Sequence, residues 1–181
     1  LIPSLYRIGV DAIIVQDPAI LKLDLPPIAL HASTQMHNYD LERIKFLDRL
    51  GFQRIVLARE LSLEQLREIR REVKAELEYF VHGALCVSLS GQCYMTKRSA
   101  NRGECAQACR MQWTVEDDAG KVVLKDKYVL SLKDLNLSAH LSELVEVGID
   151  SFKIEGRLKE ADYVANVTSY YSGRLDEIVA P

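Results

Sequence analysis

The chain has no cysteine outside one short segment, no apolar run near the length of a membrane helix, and no strong charge of either sign. Each absence excludes something. A spanning helix needs about 20 consecutive apolar residues, so no membrane partner is expected, and no basic-then-apolar leader opens the chain. A net charge of −3 gives no global basic field, so a nucleic-acid partner would have to meet a local patch. A secreted disulfide framework spreads its cysteines through a small, core-poor chain, whereas here they cluster in a chain with ample apolar residues. The expected compartment is therefore the cytoplasm. A Ser-His-Asp elbow, an H-E-x-x-H helix and a paired-aspartate peptidase motif are all missing.

What is there is ordinary globular material: 181 residues, 48% hydrophobic and 27% charged, enough for one domain with a core. Short apolar runs at Asp11 to Val15, Ile28 to His31, Gln53 to Leu57, Leu77 to Val81 and Ser151 to Glu155 suit parallel strands covered on both faces. Helical patterns separate them. Leu41, Ile44, Leu47 and Leu50 share one face, closed by Gly51. Ser62 with Gln65 forms a capping box opening Leu63 to Val73, Asp134 is placed to cap a helix running to Gly148, and a last helix spans about Glu160 to Val179.

The βα rhythm predicts an α/β fold of the (β/α) TIM-barrel type, incomplete in this chain. Five strands are clear, with a sixth near Tyr128 to Leu130, against the eight of a closed barrel. A preceding N-terminal segment or a dimer partner would complete it and cover the exposed sheet edge. The rhythm breaks at about 83–127, where a cysteine-rich loop precedes a β-hairpin, Trp113 to Glu116 and Lys121 to Leu124, turning at Asp117 to Gly120. The domain reading is one partial barrel over 1–181 carrying that insertion.

Barrel chemistry gathers where strands end. The strand ends offer Gln16, Asp17, His31, Ser33, Thr34, Gln35, Arg59, Glu60, His82, Glu155 and Arg157. Singly, each also fits a cap or a rim hydrogen bond; five polar strand ends together point to a site. Arg59 beside Glu60, and Glu155 near Arg157, suit charge-assisted bonds to an anion or to each other. His31 and His82 are expected to face the mouth as base, ligand or donor.

Cys86, Cys93, Cys105 and Cys109 are spaced C-x6-C-x11-C-x3-C. Structural zinc prefers paired short knuckles, which only the last pair approaches. Iron–sulfur ligation accepts more irregular spacing. A nucleophilic cysteine with His82 as base remains open, though it leaves three cysteines unused.

Glu78-Tyr79-Phe80-Val81-His82-Gly83-Ala84-Leu85-Cys86, followed by Gly91-Gln92-Cys93-Tyr94-Met95-Thr96, resembles the signature of the peptidase U32 family. Its pattern is E-x-F-x2-G-S/A-aliphatic-C-x4-G-x-C-x-aliphatic-S, with Thr96 here in place of the serine. Further similar blocks are His31 to Met36, Leu57 to Ser62, Arg98 to Gln107 and Ser151 to Arg157, so the likeness runs through nearly the whole chain. The stretch from Cys93 to Arg98 is several residues shorter than in the family.

The resemblance implies two activities. One is collagenase-like peptidase action. The other is hydroxylation of a base in ribosomal or transfer RNA, with related quinone hydroxylation, linked to an iron–sulfur cluster on the family cysteines. Four clustered cysteines and a polar, cationic rim favour the second. The expectation is a 4Fe-4S cluster on Cys86, Cys93, Cys105 and Cys109, with zinc as the lesser occupant. His31, Gln35, Arg59, Glu60, His82, Glu155 and Arg157 are the catalytic candidates, and Arg98, Arg102 and Arg110 the RNA contacts. A metal-dependent peptidase acting on a peptide is the alternative, and a non-catalytic role in a complex is the third class.

Overall fold

A computed structural model describes residues 1–89, 95, 105 and 107–179. After a short helix α1 (Ile2–Arg7), strands β1 (Ala12–Val15), β2 (Ala29–Ala32), β3 (Arg54–Val56) and β4 (Glu76–Gly83) alternate with helices α2 (Leu41–Arg49) and α3 (Leu63–Glu72). A hairpin follows, β5 (Trp113–Glu116) and β6 (Val122–Lys127), then β7 (Leu135–Asn136), α4 (Leu141–Val147), β8 (Ser151–Glu155) and α5 (Ala161–Val179). The parallel strands pair in the order β1-β2-β3-β4-β8, while β7 pairs antiparallel with the end of β4. The fold is mixed α/β with a parallel sheet. Among the described residues the sheet is open, with β1 and β8 at its ends, and no closed barrel is formed.

Local chemistry explains the helix boundaries. Asp40 accepts from the Arg43 amide at 3.0 Å to start α2, and Ser62 and Gln65 exchange both bonds of the capping box that starts α3. Ile44 and Leu47 of α2, Leu66 and Ile69 of α3, and Leu141 and Leu144 of α4 bury against Ile55 and Leu77 of the sheet. Each such side chain contributes about 1.5–3 kcal/mol on burial. Acidic side chains then fix the register: Asp48 accepts from the Ala75 amide at 2.8 Å, and Asp150 accepts from the Leu77 amide at 2.8 Å and pairs with Arg70 at 3.1 Å.

Two expected elements differ. No strand forms at Tyr128 to Leu130; the extra strand is β7, two residues long and antiparallel. Asp134 caps no helix, because β7 and a 3₁₀ turn at Ser138–His140 intervene before α4. Its carboxylate pairs instead with Arg110 at 3.2 Å and Lys159 at 3.7 Å.

The non-helical face of the sheet carries charge. Arg54 meets Glu76 at 2.7 Å and Glu78 at 3.3 Å, and Lys153 meets Glu78 at 2.8 Å. Glu78 is only 7% exposed, so its charge depends on these partners. Burial alone would raise its pKa; Lys153 and Arg54 override that and hold the carboxyl below its ordinary value.

Candidate functional site

The C-terminal ends of β2, β3, β4 and β8 converge on a cavity of about 290 Å³. Three backbone arrangements shape it. After β2, Ser33 caps a 3₁₀ turn at Thr34–Met36 by accepting from the Gln35 amide at 3.2 Å, which sets Gln35 on the wall. Asn38, fully buried, donates to the carbonyls of Ser33 at 2.8 Å and Val56 at 2.9 Å, locking that turn to the end of β3. The Tyr79 hydroxyl lies 2.9 Å from the Leu61 carbonyl and 3.1 Å from that of Arg59, holding the loop that presents Arg59. Burial, with a contribution from Glu60, pushes the Tyr79 phenol up to about 12, so it remains a neutral donor.

Arg59 is the centre of the wall. Its Nη2 lies 3.2 Å from Glu155 Oε2, and its guanidinium carbon sits 3.6 Å from the Phe80 ring centroid. Burial lowers its pKa, while Glu155 and Cys86 oppose that shift. A guanidinium starts so high that it stays cationic. Arg157 Nε approaches the other Glu155 oxygen at 3.8 Å, and Lys153 Nζ lies 5.5 Å from the Phe80 centroid on the same cavity. A cation over an aromatic face is held by the ring quadrupole, which orients both groups.

Cys86, Cys105 and Cys109 all line this cavity, and none of them is in a disulfide. The Gln107 amide, in a left-handed residue at φ 50°, donates to Cys105 Sγ at 3.4 Å. Among the described residues no three His, Cys, Asp or Glu side chains stand close enough together to hold a metal ion. Cys93, Arg98 and Arg102 lie outside the described residues. The donor type nevertheless fits: three thiols lining one cavity, one of them hydrogen-bonded at sulfur, are of the soft kind that ligates an iron–sulfur cluster.

The structure gathers Gln35, Arg59, Glu155, Arg157, Cys86, Cys105, Cys109 and Arg110 around one cavity. His31, Glu60 and His82 do not line it. His31 shares a register position with Arg54 farther down the sheet, and its pKa is lowered by burial and then by Arg54. Glu60 is exposed on the loop beyond Arg59.

His82 requires a correction of direction. Strict alternation from Glu78 and Phe80 would send it into the cavity. The register slips between Phe80 and His82, however, so Phe80 pairs with Lys153 while His82 pairs with Ile154. That bulge turns His82 to the helix side, where Nε2 lies 2.9 Å from the Tyr163 hydroxyl and Nδ1 3.3 Å from that of Tyr171.

Arg110 likewise faces protein groups. It bonds the carbonyls of Leu85 and Leu132, the Ser131 hydroxyl and the Asp134 carboxylate. Sequence reading missed Lys153, Phe80 and Asn38. Lys153 was accessible in principle, since two positions before Glu155 on a strand puts both on one face.

Among the described residues no helix is long and apolar enough to cross a membrane. Comparison with known proteins agrees with the cysteine signature. The chain is 54% identical over 183 residues to the 23S rRNA 5-hydroxycytidine synthase of Escherichia coli, covering 99% of this chain and 28% of that protein. It is 42% identical to an uncharacterized protease of Methanocaldococcus jannaschii, covering 94% of this chain and 45% of that one. It is 39% identical to a tRNA hydroxylation protein of Bacillus subtilis, covering 95% and 44% respectively. The chain therefore spans less than half the length of these relatives. The family description of peptidase family U32 matches residues 1–181, and the chain belongs to that family.

Proposed function

We propose that this chain forms the cysteine-bearing part of an enzyme that hydroxylates an RNA base. The observation that carries the reading is the convergence of Cys86, Cys105 and Cys109 with the Arg59–Glu155 pair on one cavity at the strand ends. The names of the relatives from Escherichia coli and Bacillus subtilis support RNA as substrate and hydroxylation as the reaction. We further infer that the parallel sheet is part of a (β/α) barrel in which 1–181 is one domain and about 83–127 its insertion. Its compartment would be the cytoplasm, where thiols stay reduced.

Cys86, Cys93, Cys105 and Cys109 would hold a 4Fe-4S cluster, which when bound supplies one-electron redox chemistry at the cavity wall. The remaining residues bind and orient. Arg59, fixed by Glu155 and Phe80, presents guanidinium N–H groups to an anionic or carbonyl oxygen without reorganising. Lys153 and Arg157 add positive charge, and Gln35 offers an amide with both donor and acceptor capacity. The apolar lining, buried Val56 with half-buried Leu85 and Val87, would limit water around the reacting base.

The relative named as a protease keeps peptide hydrolysis in view. The cavity favours it less, because no histidine is among the described residues that line it to serve as base for a cysteine nucleophile. The test is nucleoside mass spectrometry of ribosomal and transfer RNA from cells lacking the full-length protein, complemented with wild type or Cys86→Ser. Restoration of a hydroxylated nucleoside by wild type alone supports the reading. Unchanged RNA with a lost peptide-cleaving activity would replace it with the peptidase.

A further inference from the structure

We propose that Arg110 is a positioning residue that clamps the two cysteine-bearing segments together, and that it makes no phosphate contact. Arg110 follows Cys109 directly, and Leu85 precedes Cys86 directly. Arg110 Nη2 donates to the Leu85 carbonyl at 3.2 Å and meets Asp134 Oδ1 at 3.2 Å. Its Nη1 reaches the Ser131 hydroxyl at 3.4 Å and the Leu132 carbonyl. One guanidinium thus ties the segment after β4, the turn at Ala108–Arg110 and the segment leading to β7. The planar fork is what allows this, since its five N–H donors point in fixed directions, whereas an ammonium offers three donors from a single point.

Two surrounding features make the clamp directional. The Trp113 indole N–H donates to the Ala108 carbonyl at 3.1 Å, so the turn carrying Cys109 is pinned from the hairpin side as well. Asp134 also faces Lys159 at 3.7 Å, which links the clamp to the loop after Glu155 and Arg157. With both terminal nitrogens engaged and the side chain only 21% exposed, little of the fork is left for a phosphate. The clamp sets the placement of the Cys109 thiol relative to Cys86, in the way that outer groups orient metal ligands.

This inference rests on the reading of the cysteines as cluster ligands, and two readouts separate its failure from the failure of that reading. Full-length protein is purified anaerobically as wild type, Arg110→Leu and Arg110→Lys. Iron and acid-labile sulfide are measured first, with retention challenged by a chelator. The apo proteins are then treated with a short bis-maleimide, and the Cys86–Cys109 cross-link is quantified by peptide mass spectrometry. For Arg110→Leu the clamp predicts cluster retention weakened by about 10-fold to 100-fold, the range for losing a group that supports metal ligands. It predicts a comparable fall in cross-linking, and Arg110→Lys fails to restore either.

RNA binding provides the opposing outcome. The clamp leaves the salt dependence of RNA affinity unchanged in Arg110→Leu, whereas loss of a phosphate contact lowers the slope by about one. Wild-type cross-linking in Arg110→Leu, with or without a reduced slope, overturns the proposal. Wild-type protein without iron or sulfide refutes the cluster reading; the cross-linking comparison then decides the clamp alone. Thermal midpoints are taken for all three proteins, and Arg110→Lys carries the decision if Arg110→Leu does not fold.

Discussion

Replacing Gly83 by alanine tests whether the end of β4 and the end of β8 are as tightly apposed as the site requires. Gly83 has φ +110°, and a Cβ there would stand 2.1 Å from the Glu155 carbonyl oxygen and 2.8 Å from the Glu155 Cβ. The strained backbone costs about 1–3 kcal/mol. Forcing the strands apart adds about 1–3 kcal/mol, as overpacked sites do. The total, about 2–6 kcal/mol, is a large share of the roughly 5–15 kcal/mol that holds a domain together. Gly51 supplies the control, for its φ is +87° but nothing lies within 4 Å of its would-be Cβ. Gly51→Ala should therefore show the backbone cost alone, about 1–2 kcal/mol. Urea unfolding of wild type and both variants, analysed by linear extrapolation, gives the comparison. Equal losses at the two glycines would refute the close approach and, with it, the placement of Glu155 beside Arg59.

Arg59→Ala removes the cation from Glu155 and from the face of Phe80. Losing a charge-assisted bond worth about 1.5–3 kcal/mol should slow the proposed RNA hydroxylation by the full-length protein roughly 10-fold to 100-fold in single turnover, and an unchanged rate would move the reaction elsewhere. Asn38→Ala strips two carbonyls of their buried donor, so unfolding free energy should fall by about 2–3 kcal/mol, measured by the same urea titration. Glu78 gives a pH signature. Its folded pKa is depressed, so its contribution is present above the unfolded value of about 4.3 and is lost as pH falls through the folded value. Glu78→Gln should flatten the acid limb of the stability–pH curve below about pH 4.3 and leave the neutral limb parallel to wild type; an unaltered acid limb would deny the carboxylate that role.

The parallel strands and helix caps were legible because local chemistry specified them. Ser151 to Glu155 was read as the strand it forms, and Ser62 with Gln65 announced a capping box that needs only neighbouring atoms. The cysteine signature identified the family because its spacing is long and specific. What escaped depended on register or on distant partners. His82 looked like a mouth residue because period-two alternation holds only until a bulge intervenes, and the bulge is set by pairing with β8, about seventy residues away. Asp134 has the composition of a cap, yet Arg110 and Lys159 claim it. The βα rhythm announced parallel strands of a barrel incomplete in this chain, and the described sheet is parallel and open; rhythm specifies parallel pairing without specifying that the ends meet.

The central claim is that the cysteine cavity is a redox site. Its most direct test is iron and acid-labile sulfide analysis, with a visible spectrum, of full-length protein purified without oxygen, alongside Cys86→Ser. The account predicts about four irons and four sulfides per chain with broad visible absorption bleached by dithionite, as a 4Fe-4S assignment requires, and loss of all three in Cys86→Ser. Stoichiometric zinc without sulfide, or a colourless protein indistinguishable from Cys86→Ser, would contradict it.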